Sequence, residues 1–333
     1  MSLTPTIYSS VDAGAPQMTG QVGAMVNLLR ALLVTGYGSG GSAKPALGWT
    51  EEFTGVNKAV FRNAPVSGSG YRLRVLDDGT AAAGGDARAA SLRAFSTMSD
   101  IDTGNDPTPT SAQFANGAVW PKSTVSSSTA RAWWAIGNER CIYLFVDIAG
   151  GGLAVASPYF AGDLISFKAG DGHQFALSVS PTTWTGSGTA SRIFCASLGA
   201  ISGSTPGTTH GLVIARSFNA AVGAVFVAPS AHKATGVLTT PFGGSGLEYP
   251  SPISGGMFYD TIVVHEGGAV GPRGLMPGVY VPLHAQPLAD LAELTEPEGL
   301  PAGRVLVGKR FRGDNPSNPG ANGELLFDRV GGW

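Results

Sequence analysis

A mainly β fold is predicted, with an antiparallel β-sandwich-like body, one N-terminal amphipathic helix and a C-terminal β-hairpin. Three observations predict it. Apolar and polar residues alternate with a period of two in short runs, as where Tyr71, Leu73 and Val75 interleave with Arg72 and Arg74. The 49 Gly and 22 Pro exceed average usage and fall between those runs, where tight turns need them. Only Gly20 to Thr35 carries the three- and four-residue spacing of a helix.

Taken in order, residues 1–48 form an arm and a helix. Met1 to Pro16 has no apolar period and reads as extended. Thr19 is the expected N-cap, and Gly36 the residue that ends the helix. Val22, Met25, Val26, Leu29 and Leu33 lie on one stripe. That stripe either packs on a sheet of the same chain or docks on a neighbouring subunit.

Residues 49–290 form the β body, with a division into two sub-domains near 181–191 left open. Its nucleus is a hairpin within Leu47 to Asp78, two strands joined by the Pro- and Gly-bearing loop Asn63 to Gly70. Ala87 to Met98 suits a strand or a short helix, and Ser99 to Ser128 reads as a surface excursion. Ala132 to Ile148 is a hairpin turning at Gly137, Asn138 and Glu139. Strands follow at Tyr159–Phe167, Gln174–Val179, 193–198, Gly211–Arg216, Ala224–Val227, 236–240, Met257–His265 and Gly278–Leu283, with a connector at 182–191. A helical turn is expected at Ala289–Leu294. Residues 291–333 close the chain with the strand pair Arg304–Phe311 and Gly323–Val330.

A chain of 333 residues can bury a large core. Charged residues are 13% of it, against about 25% in ordinary soluble domains, which suits a protein set among neighbours. A formal net charge of -2 gives no electrostatic basis for nucleic-acid binding. No apolar run reaches the roughly 20 residues that span a bilayer, and the start lacks a secretory pattern. The expectation is a soluble protein made in the cytoplasm with no membrane partner. Cys141 and Cys195 sit in apolar runs and read as buried thiols, a bridge between them staying open.

Motifs that carry chemistry are few. His173, His210, His232, His265 and His284 match no local zinc spacing, and neither a phosphate-cradling loop nor a serine elbow is present. Asp100, Asp102 and Asp106 resemble the opening of a calcium loop without its closing Glu, and Asx-turns explain the same residues. Trp120, Trp133, Trp134 and Trp184 could stack on a sugar. Trp133 and Trp134 are neighbours on a strand, though, so they face opposite ways, one to the core and one to an interface. No catalytic residue, metal or cofactor is expected, and the chain is not read as an enzyme.

Several stretches together resemble a family of tailed-bacteriophage virion structural proteins. They are GAPQMTGQVGAMVNLLRALLVTGYG (14–38), GWTEEFTGVNKAVFRN (48–63), YRLRVLDDG (71–79), MSDIDTGNDPTPT (98–110), FAGDLISFKAGDGHQFAL (160–177), RGLMPGVYVPLHAQPL (273–288) and GELLFDRVGGW (323–333). The resemblance implies a virion component made in the host bacterial cytoplasm and leaves its place open among neck, tail, baseplate, fibre and capsid surface; a tail-, neck- or baseplate-associated role is the expectation taken. Its implied partners are copies of itself and other virion proteins. Because the arm has no apolar period with which to fold onto its own body, Thr6 to Gln17 is expected to contact a neighbouring subunit, with Ile7 and Tyr8 as apolar anchors. The alternatives are a receptor- or glycan-binding fibre or spike module that meets a host-surface glycan, a capsid decoration protein, and a virion-borne glycan hydrolase.

Overall fold

A computed structural model describes residues 3–80, 87–179, 211–219, 222–230, 248–266, 271–284, 287–311, 323–331 and 333. The fold is mainly β and antiparallel. The N-terminal arm contributes β1 (Thr6–Ser9), and the helix α1 (Ala24–Arg30) follows, running on as a wide turn through Thr35. A first sheet takes β2 (Thr50–Gly55), β3 (Lys58–Arg62), β4 (Arg72–Leu76), β5 (Ala89–Phe95) and, after the two-residue pair β6 (Thr97–Met98) and β7 (Gly104–Asn105), β8 (Ala118–Pro121).

The second sheet is built from β1 and the rest of the chain. Its strands are β9 (Trp133–Gly137), β10 (Cys141–Val146), β11 (Ser157–Asp163), β12 (Ile165–Ser166), β13 (Phe175–Val179), β14 (Gly211–Arg216) and β15 (Val222–Ser230). Then come β16 (Tyr259–Glu266), β17 (Gly271–Pro282), β18 (Glu293–Thr295), β19 (Val305–Phe311) and β20 (Gly323–Asp328). The order is β1-β9-β10-β11-β13-β14-β15-β16-β17-β20-β19-β18. Because β12 continues β11 and pairs with β17, the strands between them curl back toward their start.

The apolar runs of β9 and β10 now have a reason. On β10, Ile142, Leu144 and Val146 enter one core, and Cys141, Tyr143 and Phe145 enter the other. Trp133 and Trp134 divide the same way, so neither is at a surface. A strand buried on both faces loses the polar alternation that marks a wet face. The first core lies between the two sheets, with Phe61, Leu73 and Leu92 opposite Trp133, Leu144 and Tyr159. The second lies inside the curled sheet, where Tyr143, Phe145 and Trp134 meet Phe327 and Trp333. Residues 1–48 and 291–333, set apart by sequence, share these two cores with the body.

The hairpin within Leu47 to Asp78 has one strand more than expected. β3 and β4 pair from Lys58 opposite Leu76 to Arg62 opposite Arg72. Ahead of them β2 turns at Asn57 (φ 52°) and pairs with β3. TEEFTG hides this edge strand, being polar on both sides. The strand also balances charge. Arg62 and Arg72 face each other as like charges, and the Glu52 carboxylate accepts from both, at 3.1 and 2.8 Å. The stretch at 99–128 is likewise more than a surface excursion, since it contains β8 with the fully buried Trp120. Ala87–Met98 resolves as the strand β5. At 289–294 there is a turn that runs into β18 in place of a helical turn. The connector at 182–191 and the strands expected at 193–198 and 236–240 lie outside the described residues.

The helix starts four residues later than its pattern suggested. Thr19 bonds only Gln21 N–H, and the N-cap is Gly23 (φ 80°), which has no side chain to offer. Asp77, at the end of β4, does the capping from a distance. Its Oδ2 accepts Met25 N–H at 2.8 Å, and its carbonyl accepts Gly23 N–H at 2.8 Å. Its Oδ1 meets Lys122 Nζ at 2.5 Å, and that ammonium also donates to the Gln21 carbonyl. Both side chains are fully buried. Burial pushes the Asp77 carboxyl up to about 6, against the pull of Lys122. Gly36 ends the segment, with a positive φ of 70° but a ψ of -177° in place of the left-handed helical pair.

Removing one member of a fully buried ion pair strands the other without water, which costs about 3–5 kcal/mol. Asp77→Ala should lower the unfolding free energy by that amount in urea. Asp77→Ala combined with Lys122→Met should lose less than Asp77→Ala alone. A single variant within about 1 kcal/mol of the parent would show that the pair does not tie helix to sheet.

Candidate functional site

The residues expected at an interface are mostly occupied within the chain. β1 pairs with β9 from Thr6 opposite Gly137 to Ser9 opposite Trp134. Tyr8 is fully buried, and its hydroxyl donates to the Pro45 carbonyl at 2.6 Å. Ile7 packs half-buried against the second core, its carbonyl accepting from Lys44 Nζ at 3.1 Å. The Trp133 indole N–H donates to the Pro16 carbonyl at 2.9 Å. An arm without an apolar period thus folds onto its own body, because backbone pairing and two aromatic anchors replace the missing stripe. Met25, Val26, Leu29 and Leu33 are buried in the first core, which corrects the docking alternative for that face. Val22 precedes the helix and is exposed.

The acidic loop does not converge. Asp100 Oδ1 accepts the N–H groups of Asp102 and Thr103, an Asx-turn. Asp102 pairs with Lys58 and Arg74 at 2.6 and 3.1 Å, and Asp106 with Arg216 at 2.8 Å. Among the described residues no three His, Cys, Asp or Glu side chains are grouped to hold a metal ion. Cys141 is a buried free thiol whose pKa burial raises, whereas Cys195 and Trp184 lie outside the described residues. Trp120, Trp133 and Trp134 are core residues and form no sugar-stacking surface, and neither Trp133 nor Trp134 is left for an interface.

Besides Asp77 and Lys122, buried titratable groups meet in two further places among the described residues. Arg273 lies between Asp171 (2.5 Å) and Glu266 (3.3 Å), all three buried, with the Phe218 ring 5.7 Å from the guanidinium. At the far end of the sheet, Lys309 Nζ donates to Asp290 Oδ1 and to the Leu153 and Arg310 carbonyls. Burial lowers that amine to about 8. Glu324 beside it is fully buried, and the Leu288 amide lies near its carboxyl without good hydrogen-bond geometry. Burial pushes this carboxyl up to about 7. Perturbed groups of this kind often mark active sites. Here Glu324 and Lys309 have no exposed surface for a substrate to reach.

Among the described residues, clefts that open to solvent include the following two. One, of about 470 Å³, has a polar lining that includes Arg140, Ser166, Lys168 and Gln174. Its acid, Asp171, is committed to Arg273. The second, of about 340 Å³, is lined by Met257, Phe258, Tyr259, Glu298 and Gly299. It is the stronger candidate, because it joins accessible aromatic rings to a carboxylate. The chain matches no known family model and no curated protein.

The second cleft is held rigidly. His284 is buried, and its Nε2 accepts the Phe258 N–H at 2.7 Å, which leaves Nδ1 to donate to the Glu248 carbonyl at 2.9 Å. The exposed Phe258 ring lies parallel to this imidazole at 6.0 Å, and the exposed Tyr249 ring meets it edge-on at 5.6 Å. Tyr259 packs edge-on against Tyr280 at 5.4 Å and donates its hydroxyl to the Glu298 carbonyl, pinning the turn that carries that acid. No pattern in the sequence marks these residues. Phe258 and Tyr259 sit inside a run that reads as strand, and Glu298 comes from a turn about forty positions further along the chain.

The arm and the buried carboxyl each give a measurable outcome. Deleting residues 1–16 removes β1, the buried Tyr8 ring and the acceptor of the Trp133 indole. The truncated protein should lose several kcal/mol in chemical unfolding, since an aromatic truncation alone costs about 3–5 kcal/mol. An unchanged midpoint would mean the arm is dispensable.

The second outcome is a pH dependence. An unfolded Glu324 releases its proton near its ordinary value of about 4.3. The folded one holds it until about 7. The native state therefore binds more protons across that window, and stability falls as pH rises through it. Glu324→Gln should abolish a decline on the order of 3 kcal/mol between about pH 4.5 and 7. Parallel slopes for parent and variant would contradict it.

Proposed function

We propose that this chain is a structural component of a tailed-bacteriophage virion, acting through subunit contacts and without catalysis. The observation that carries this reading is its surface. Loop tips present aliphatic side chains almost wholly to water, Val66 at 99%, Ile253 at 94%, Val56 at 87% and Val11 at 85% exposed. Single exposed apolar residues are ordinary. On a chain with only 13% charged residues, four such tips are well placed to seat in neighbouring subunits. Each would contribute roughly 1.5–3 kcal/mol when buried in a contact. The resemblance of stretches such as GWTEEFTGVNKAVFRN to virion structural proteins agrees with this use of the surface.

The two tips that protrude furthest supply the test. Val66→Asp with Ile253→Asp should leave the melting temperature within a degree or two and cut incorporation into particles at least tenfold, counted by protein mass per particle. Normal incorporation of a folded double variant rules out these loops as contacts. Absence of the parent protein from purified particles rules out the virion role itself.

A further inference from the structure

We infer that the cleft between Phe258, Tyr259 and Glu298 binds an organic cation, an alkylammonium or guanidinium group. This goes beyond the structural role proposed above and does not depend on it. Glu298 is exposed, and its carboxylate has neither a hydrogen bond nor an ion pair with any other described residue. Of the other exposed acids, Asp102 is paired with Lys58 and Arg74 and Glu293 with Arg329, whereas Glu248 and Glu296 show no side-chain partner among the described residues. The carboxylate at the cleft is therefore available to a charge brought from outside.

The walls suit a cation that sheds part of its water. The face of an aromatic ring carries negative charge and attracts ammonium and guanidinium groups within about 6 Å. Phe258 offers one exposed face while its parallel contact with His284 holds the other, so the ring is oriented before any ligand arrives. Tyr259 adds a second ring with its hydroxyl engaged on the Glu298 carbonyl. Met257, buried and carrying a polarizable thioether, also lines the cleft. Burial first, and then the neighbouring Tyr280, Glu298 and Asp328, raise the Tyr259 pKa. Arg304, just ahead of β19, is engaged with Asp328.

Rings and a carboxylate could also receive a neutral sugar, with the acid accepting its hydroxyl groups. The unpaired charge favours the cation, because desolvating a lone carboxylate against an uncharged ligand is costly. The volume, about 340 Å³, accommodates a trimethylammonium or a guanidinium head. The group could sit on a small metabolite or at the end of a lysine or arginine side chain.

The experiment titrates the full-length chain with four probes, read by ligand-observed NMR: choline, its uncharged isostere 3,3-dimethylbutan-1-ol, methylguanidinium and methyl glucoside. Choline or methylguanidinium should bind at least tenfold tighter than the neutral isostere, and more weakly in about 0.5 M salt. Choline binding without methylguanidinium assigns a quaternary ammonium metabolite, and the reverse assigns an arginine-like group. Glu298→Gln, a near-isosteric surface change, should weaken the cation five- to tenfold with no change in melting temperature. Phe258→Leu should do the same. Equal binding of choline and its isostere, preference for the glucoside, no binding of either cation to the folded parent, or a Glu298→Gln variant that binds as the parent does would each overturn the inference.

Discussion

Three strands that are apolar on both faces impose the rest of this architecture. β9, β10 and β11 carry Trp133, Leu144 and Tyr159 on one side and Trp134, Tyr143 and Phe160 on the other. A sheet exposing either set to water would forfeit roughly 1.5–3 kcal/mol for each large side chain. Two coverings are therefore needed. The first is the smaller sheet with the helix. The second is the sheet's own far half, which curls round until β17 meets β12 and the tail brings Phe327 and Trp333 to Tyr143. The arm and the tail are drawn inside for the same reason.

Charge is placed to secure that arrangement. Where the covering layers join the wall, the chain buries ions in pairs, Asp77 with Lys122 beneath the helix and Arg273 with Asp171 beneath the 170–172 turn. A buried pair adds little net stability over an apolar substitute, but it penalises any arrangement that separates its members. Asp77 is most informative, since one carboxylate caps a helix whose own N-cap is glycine and grips a lysine just past β8. Three elements distant in sequence thereby share one register.

The fold was legible wherever one face of an element meets water. β4 announced itself through Arg72 and Arg74 between apolar neighbours, and the hairpin of β9 and β10 through its Gly-Asn-Glu turn. Legibility failed where the deciding partner is remote. TEEFTG has no period because β2 is an edge strand whose worth lies in Glu52 neutralising two arginines from other strands. Thr19 resembled an N-cap, and only tertiary structure shows that Asp77 holds that position. The arm looked orphaned because its pairing with β9 leaves no mark in its own residues. The candidate cleft was hidden for a similar reason, its rings reading as strand core and its acid as an ordinary turn residue.

The two-faced wall also sets a timetable for the ribosome. The Tyr143 hydroxyl is capped by the Pro277 carbonyl, 134 residues downstream. At synthesis rates of about 5–20 residues per second, that partner emerges on the order of ten seconds after its tyrosine. For that interval Tyr143, Phe145 and Phe160 form a greasy ledge with nothing over it, while the opposite face is already covered by upstream segments. Nascent chains crowded on one message would meet ledge to ledge, so the period of greatest risk to this protein precedes its completion.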